Sequence, residues 1–258
     1  MFGWWRRRRR AKVRARPIPS AWRELLTRNV PLFRRLPPDD QDELLRQVLV
    51  FLDEKQLEGC GGLALTDEIR VTIAAQACLL QLHHPEPHYF GDVSAVLVYP
   101  HAYQVPGETQ LPDGTVVSGV GVRLGEAWTR GEVVLSWDDV RGGAADPRDG
   151  QNVVLHEFAH KLDQEDGSAD GAPLLSTRSR YVAWARVLSK EFEALQEDAE
   201  DHRRTVLDTY GATNPAEFFA VATEAFFEKS STLRRKHPEL YEQLALYYRQ
   251  DPAELPPP

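Results

Sequence analysis

His156, Glu157 and His160 stand in the run His156-Glu157-Phe158-Ala159-His160, an H-E-x-x-H pattern. On a helix, residues four apart share a face. Both imidazoles can then point at one ion, while the carboxylate one position on reaches a water beside it. Imidazole nitrogen suits zinc, and a catalytic zinc site takes three protein ligands and keeps a fourth place for water. The bare pattern arises by chance in about one chain in a hundred of this length. Here Val153, Val154, Leu155, Phe158 and Leu162 add an apolar body beneath the histidines. A third donor has to come from elsewhere, because the H-x-x-G-x-x-H continuation is missing and Asp163 and Asp166 follow instead. Glu217 and Glu224 are seven apart on one side of a later helical stretch, among Phe218, Phe219, Val221, Phe226 and Phe227. Carboxylates in such surroundings need a partner, which a cation supplies. The residues alone leave both glutamates open as the third ligand.

The elements that must position these groups follow from periodicity. Residues 20–56 are helical in spacing, broken at Pro31 and at Pro37-Pro38, and Thr66 to Leu82 forms another helix capped by Thr66 or Asp67. His83, His84 and His88 fall in a Pro-punctuated turn and read as exposed loop histidines. The period then changes. Ala95–Tyr99, Thr115–Val122 and Glu132–Trp137 are β-rich runs, and Asp138 to Asn152 is polar and Gly-rich. Helical spacing returns over Val153–Leu162, Arg178–Gln196, Ala216–Lys229 and Pro238–Arg249. The expectation is an α+β fold, mainly helical with a small central β-sheet, the metal site lying between the H-E-x-x-H helix and the Glu217 helix. One unit spans 20–252, with a helical part at 20–90, the sheet at 91–140 and the metal-site helices at 150–250.

Composition narrows the class. The 258 residues include 42% hydrophobic side chains and only two cysteines, Cys60 and Cys78, which excludes a disulfide scaffold and a cysteine-rich zinc module. The reading is a cytoplasmic protein with no membrane span. Residues 1–16 carry eight basic side chains (Arg6 to Arg10, Lys12, Arg14, Arg16) and no acid. The net charge of −8 therefore becomes −16 once those eight are set aside. No apolar stretch follows that would make a signal peptide. Trp4 and Trp5 beside five arginines are types that hold an anionic membrane or nucleic acid, but like charges repel, and the composition favours a disordered, solvated tail over 1–19. The acidic body argues against nucleic acid as a direct partner. Residues 253–258 read as a Pro-rich tail.

Longer runs are similar to the Mlc titration factor A family. They are Asn152-Val153-Val154-Leu155-His156-Glu157-Phe158-Ala159-His160-Lys161-Leu162-Asp163, Asp170-Gly171-Ala172-Pro173-Leu174 and Tyr210-Gly211-Ala212-Thr213-Asn214-Pro215-Ala216-Glu217-Phe218-Phe219. Upstream, Ile73 to Leu80, Tyr99-Pro100 and Gly125 to Asp138 are similar as well, so the likeness spans about 20–252. It implies a zinc-dependent peptidase of the gluzincin type whose metal-site half resembles the anthrax lethal factor catalytic domain.

On this chain the resemblance implies His156, His160 and Glu217 as zinc ligands, Glu157 as general base, and Tyr210 facing the substrate carbonyl. Glu224 would then support a ligand or meet a substrate amine. Asp163 is a candidate acceptor for the outer N–H of a ligand histidine. The implied reaction is hydrolysis of peptide or aminoacyl-amide bonds, with aminopeptidase action among the options. The Glu132–Trp137 strand is expected at a sheet edge, where an extended peptide could pair. A second reading stays open, since the family's named member binds the glucose-responsive repressor Mlc: a non-catalytic protein that sequesters a transcriptional regulator, with zinc structural or vestigial. The sequence favours the enzyme, because three ligands plus an unligated Glu157 make an open site.

Overall fold

In the computed structural model, which describes residues 2–110, 116–123, 125–127 and 131–256, prolines and caps divide the chain as the spacing predicts. Helix α1 spans Phe2–Arg14. The helical stretch that follows splits at its prolines into α2 (Ser20–Asn29), α3 (Pro31–Arg35) and α4 (Pro38–Glu54). Strand β1 (Gln56–Gly59) leads to α5 (Asp67–Leu79), whose first turn is capped by the Thr66 side chain accepting from Ile69 N. Strand β2 (Ala95–Tyr99) is followed by β3 (Tyr103–Gln110), β4 (Val116–Arg123), β5 (Gly125–Ala127) and β6 (Glu132–Ser136). The remaining helices are α6 (Trp137–Ala145), α7 (Val153–Asp163), α8 (Arg178–Glu200), α9 (Pro215–Glu228), α10 (Ser230–Lys236) and α11 (Pro238–Tyr248). Thr115, the start of one expected strand, and Trp128 to Arg130 lie outside the described residues.

The fold is α+β and mainly helical. Its sheet runs in the order β1-β2-β6-β5, the first three strands parallel and β5 antiparallel, while β3 and β4 form a separate hairpin. Val96, Val98, Val133 and Leu135 bury one face of this sheet completely, as strands covered by helices require. Helix α7 packs on α9, α5, α6 and β6, so the H-E-x-x-H segment runs through the centre of the molecule.

Three expectations change. Strand β6 is not an edge: β2 pairs along one side, and Gly125–Ala127 pairs with Val133–Leu135 on the other, which moves the edge to β5. The polar 138–152 segment contains α6, started by Ser136, whose hydroxyl accepts from Asp139 N. His88 is not exposed. Its Nε2 lies 3.3 Å from Glu165, and burial pushes its pKa down to about 4.

The ends of the chain differ as well. Residues 2–14 are a helix laid along α4 instead of a disordered tail. Val13 is buried, Arg10 pairs with Glu54 at 2.7 Å, Arg14 with Glu43 at 2.6 Å, and Arg9 and Arg16 each with Asp53 at 2.9 Å. The repulsion within the arginine run is relieved by acids on α4. At the other end, Pro252 and Pro256 carbonyls accept from the Arg35 guanidinium, and Ala253 and Leu255 pack on the core.

Candidate metal centre

Helix α7 begins where Asn152, in extended backbone, accepts from Leu155 N through its side-chain oxygen at 3.1 Å. This N-cap sets the phase of the helix. Val154, Leu155, Phe158, Ala159 and Leu162 then point into the core, and His156 and His160 come to the opposite side with ring centroids 4.8 Å apart. Helix α9 starts in the same way. Asn214 caps it by accepting from Glu217 N at 3.0 Å, Pro215 fills the first position, and Glu217 falls in the first turn, where the helix dipole favours an anion.

The two helix faces meet at three side chains. His156 Nε2 lies 3.0 Å from Glu217 Oε2 and 3.2 Å from His160 Nε2, and His160 Nε2 lies 3.3 Å from Glu217 Oε2. These ligand atoms fall within 4.8 Å of one another, the one such group of three found among the described residues. Two imidazole nitrogens and one carboxylate oxygen converging on a point fit a zinc-type cation. The surrounding electrostatics agree, since Glu157, Glu217 and Glu224 bring three carboxyl groups to two imidazoles.

The pKa shifts express that excess of acid. Burial acts against a charged His156, but hydrogen bonds to Glu217 and Glu224 carry it up to about 10. Burial raises Glu217 too, yet His156 and His160 hold it at about 2. Glu157 is pushed up to about 7 by burial, partly offset by the two histidines, and one of its oxygens is buried without a partner. A positive charge at this point is what the cluster lacks.

Other expected residues sort as follows. Glu224 supports His156: its Oε2 lies 3.1 Å from His156 Nδ1, and its Oε1 accepts Asn152 N at 2.7 Å. Tyr210, on the 3-10 turn Thr209–Ala212, is half exposed with its ring 6.1 Å from that of His156. Asp163 does not reach a histidine. Its Oδ2 accepts Gly171 N at 3.1 Å and its Oδ1 has no partner. The structure adds Asn152, Gln76 and Glu228, which residue types alone did not single out. Asn152 Nδ2 donates to Gln76 Oε1 at 2.7 Å and to Glu228 Oε1 at 3.0 Å, tying the start of α7 to α5 and α9. An Asn directly before the apolar run was the available signal for the cap.

A cleft of about 630 Å³ opens over the cluster, with His156, Glu157, Tyr210 and Glu224 on its wall. Asp138, Asp139, Asp149 and Asp208 line it as well, so the approach is acidic.

The profile of the glucose-regulated metallo-peptidase M90 family matches residues 2–249. The chain belongs to that family. It is 33% identical over 236 residues to the Mlc titration factor A of Serratia proteamaculans, covering 90% of this chain and 88% of that protein. The Mlc titration factor A of Yersinia enterocolitica is 32% identical over 238 residues, covering 90% and 86%. An uncharacterized protein of Synechocystis is 42% identical over 242 residues, covering 92% and 86%. The match from residue 2 takes in α1, which the likeness of sequence motifs had left out.

Proposed function

We propose that this M90-family chain is a zinc-dependent peptidase in which His156, His160 and Glu217 hold the ion. The carrying observation is the convergence of three donors at the cleft wall beside a fourth side chain, Glu157, that is oriented there but contributes no ligand atom to the group of three. A zinc ion held there supplies Lewis acidity, activating water and polarising the scissile carbonyl. Glu157 takes the proton of the attacking water and delivers it to the leaving amine. Tyr210, across from His156, donates toward the oxyanion that develops in the transition state; one such donor is worth about 10² to 10³ in rate.

The aspartates lining the cleft favour a substrate with a cationic end, which supports cleavage near a free amino terminus of a peptide or aminoacyl amide. Two free cysteines agree with a cytoplasmic setting. The kinship with Mlc titration factor A supports a second role, binding a repressor resembling Mlc. The test is hydrolysis of a peptide and aminoacyl-amide library by wild type and Glu157→Gln, with bound zinc measured in both. Equal zinc with cleavage by wild type alone supports the proposal. Equal zinc with no cleavage by either leaves the repressor-binding role as the reading, and absence of zinc from both overturns the metal site.

A further inference from the structure

Helix α1 has two unlike sides. Its inward face carries Arg6, Arg10 and Val13 at helical spacing. Val13 is buried against the body, and the two arginines, with Arg9 and Arg14 flanking them, are neutralised by Glu54, Asp53 and Glu43. The outward face carries Trp4, Arg8 and Lys12 at i, i+4 and i+8, with Trp5 beside them. Trp4 is 57% and Trp5 62% exposed, their rings 4.9 Å apart edge to face. Among the described residues, neither Arg8 nor Lys12 has an ion-pair partner.

We infer that this outward face of α1 docks on an anionic lipid bilayer, the two indoles entering the headgroup region and Arg8 and Lys12 meeting lipid phosphates. Among the described residues this face holds two adjacent exposed tryptophans and two cations without an ion-pair partner, a combination that a membrane interface selects. Charge complementarity is local and directional: α1 carries seven cations and no acid, while the rest of the chain carries −15. An anionic surface therefore attracts α1 and repels the body behind it. The geometry favours lipid over nucleic acid. Stacking a base needs an open ring face, but Trp5 meets Trp4 edge to face and the Arg8 guanidinium lies 5.3 Å over the Trp4 ring. No described helix is long and apolar enough to cross a membrane, so the contact is peripheral.

The experiment is flotation of the full chain with phosphatidylcholine vesicles, with and without phosphatidylglycerol, at low and high salt. It is run alongside Trp4→Ala/Trp5→Ala and Arg8→Glu/Lys12→Glu, whose melting curves confirm the fold. Wild type is expected to float with the anionic vesicles at low salt and to be released by high salt. At about fivefold in partitioning for each cation, the charge-reversed variant loses about 25-fold or more, and the alanine variant loses binding even at low salt. No flotation of wild type, flotation retained by both variants, or capture of a DNA or RNA oligonucleotide in preference to vesicles would each overturn the proposal. None of these readouts depends on metal or on peptidase activity.

Discussion

Glu224 Oε2 lies 3.1 Å from His156 Nδ1 while Glu224 Oε1 accepts the backbone N–H of Asn152 at 2.7 Å, so one carboxylate holds both the His156 ring and the start of its helix. With Nδ1 held by Glu224, Nε2, the atom that faces Glu217 and His160, is the nitrogen left to meet a cation. Removing an outer partner of this kind costs about 10 to 100-fold in metal affinity. Glu224→Gln is therefore expected to fold and to weaken zinc binding by that factor. Competition against a chromophoric chelator measures it, and wild-type affinity in the variant would sink the role.

Asn152 holds three helices with one side chain. Asn152→Ala removes the cap of α7, worth about 1 kcal/mol, and leaves Gln76 Oε1 and a Glu228 oxygen buried without their donor, about 1 to 3 kcal/mol more. Asn152→Asp keeps a capping oxygen but replaces the donor with an acceptor. Urea unfolding should show a loss of roughly 2 to 4 kcal/mol for Ala, with Asp failing to restore it. Full recovery by Asp would mean that capping alone matters.

What the sequence made legible was local, and what it hid was long-range. The H-E-x-x-H geometry is set by an i, i+4 repeat inside one helix, and the cap at Thr66 is a residue next to the turn it closes. Glu217 emerged only as one of two acids, because the choice depends on how α9 lies across α7. The arginine run reads as self-repelling, since its partners Glu43, Asp53 and Glu54 lie 29 to 48 residues away. The misplaced sheet edge has a similar cause. Its true edge, β5, is three residues long and starts with glycine, too short to produce an alternating pattern.

Gly171 is wedged between the end of α7 and the start of α9. Its N–H bonds Asp163 at the end of α7, its carbonyl accepts Trp184 Nε1 at 2.9 Å, and at φ +77° a Cβ would sit 2.4 Å from Pro215 O at the start of α9. Gly171→Ala has to push α9, and Glu217 with it, away from the histidines. The expected result is a loss of more than about 1 kcal/mol of stability together with weaker zinc binding. Calorimetry with and without zinc distinguishes this from a purely local strain: the increment in melting temperature that zinc gives should shrink in the variant, and an unchanged increment would show that Glu217 had not moved.

Glu228 carries the clearest pH dependence outside the cluster of His156, His160 and Glu217. Burial pushes its carboxyl up to about 9, only partly offset by the hydrogen bond from Asn152, and its Oε2 is buried without a partner. The folded chain thus holds a proton here that the unfolded chain, with an ordinary glutamate near 4.3, releases. Between those two values the folded state binds more protons, so stability falls as pH rises, by up to about 1.4 kcal/mol per pH unit for this one group. The contribution is fully present below the unfolded value and is lost through the folded one. Glu228→Gln, which keeps an acceptor for Asn152 and cannot ionise, should flatten that decline, its stability relative to wild type growing steadily from pH 5 to about pH 9. Denaturation midpoints at successive pH values check this, and parallel curves for the two proteins would show that Glu228 is ionised in the folded state after all.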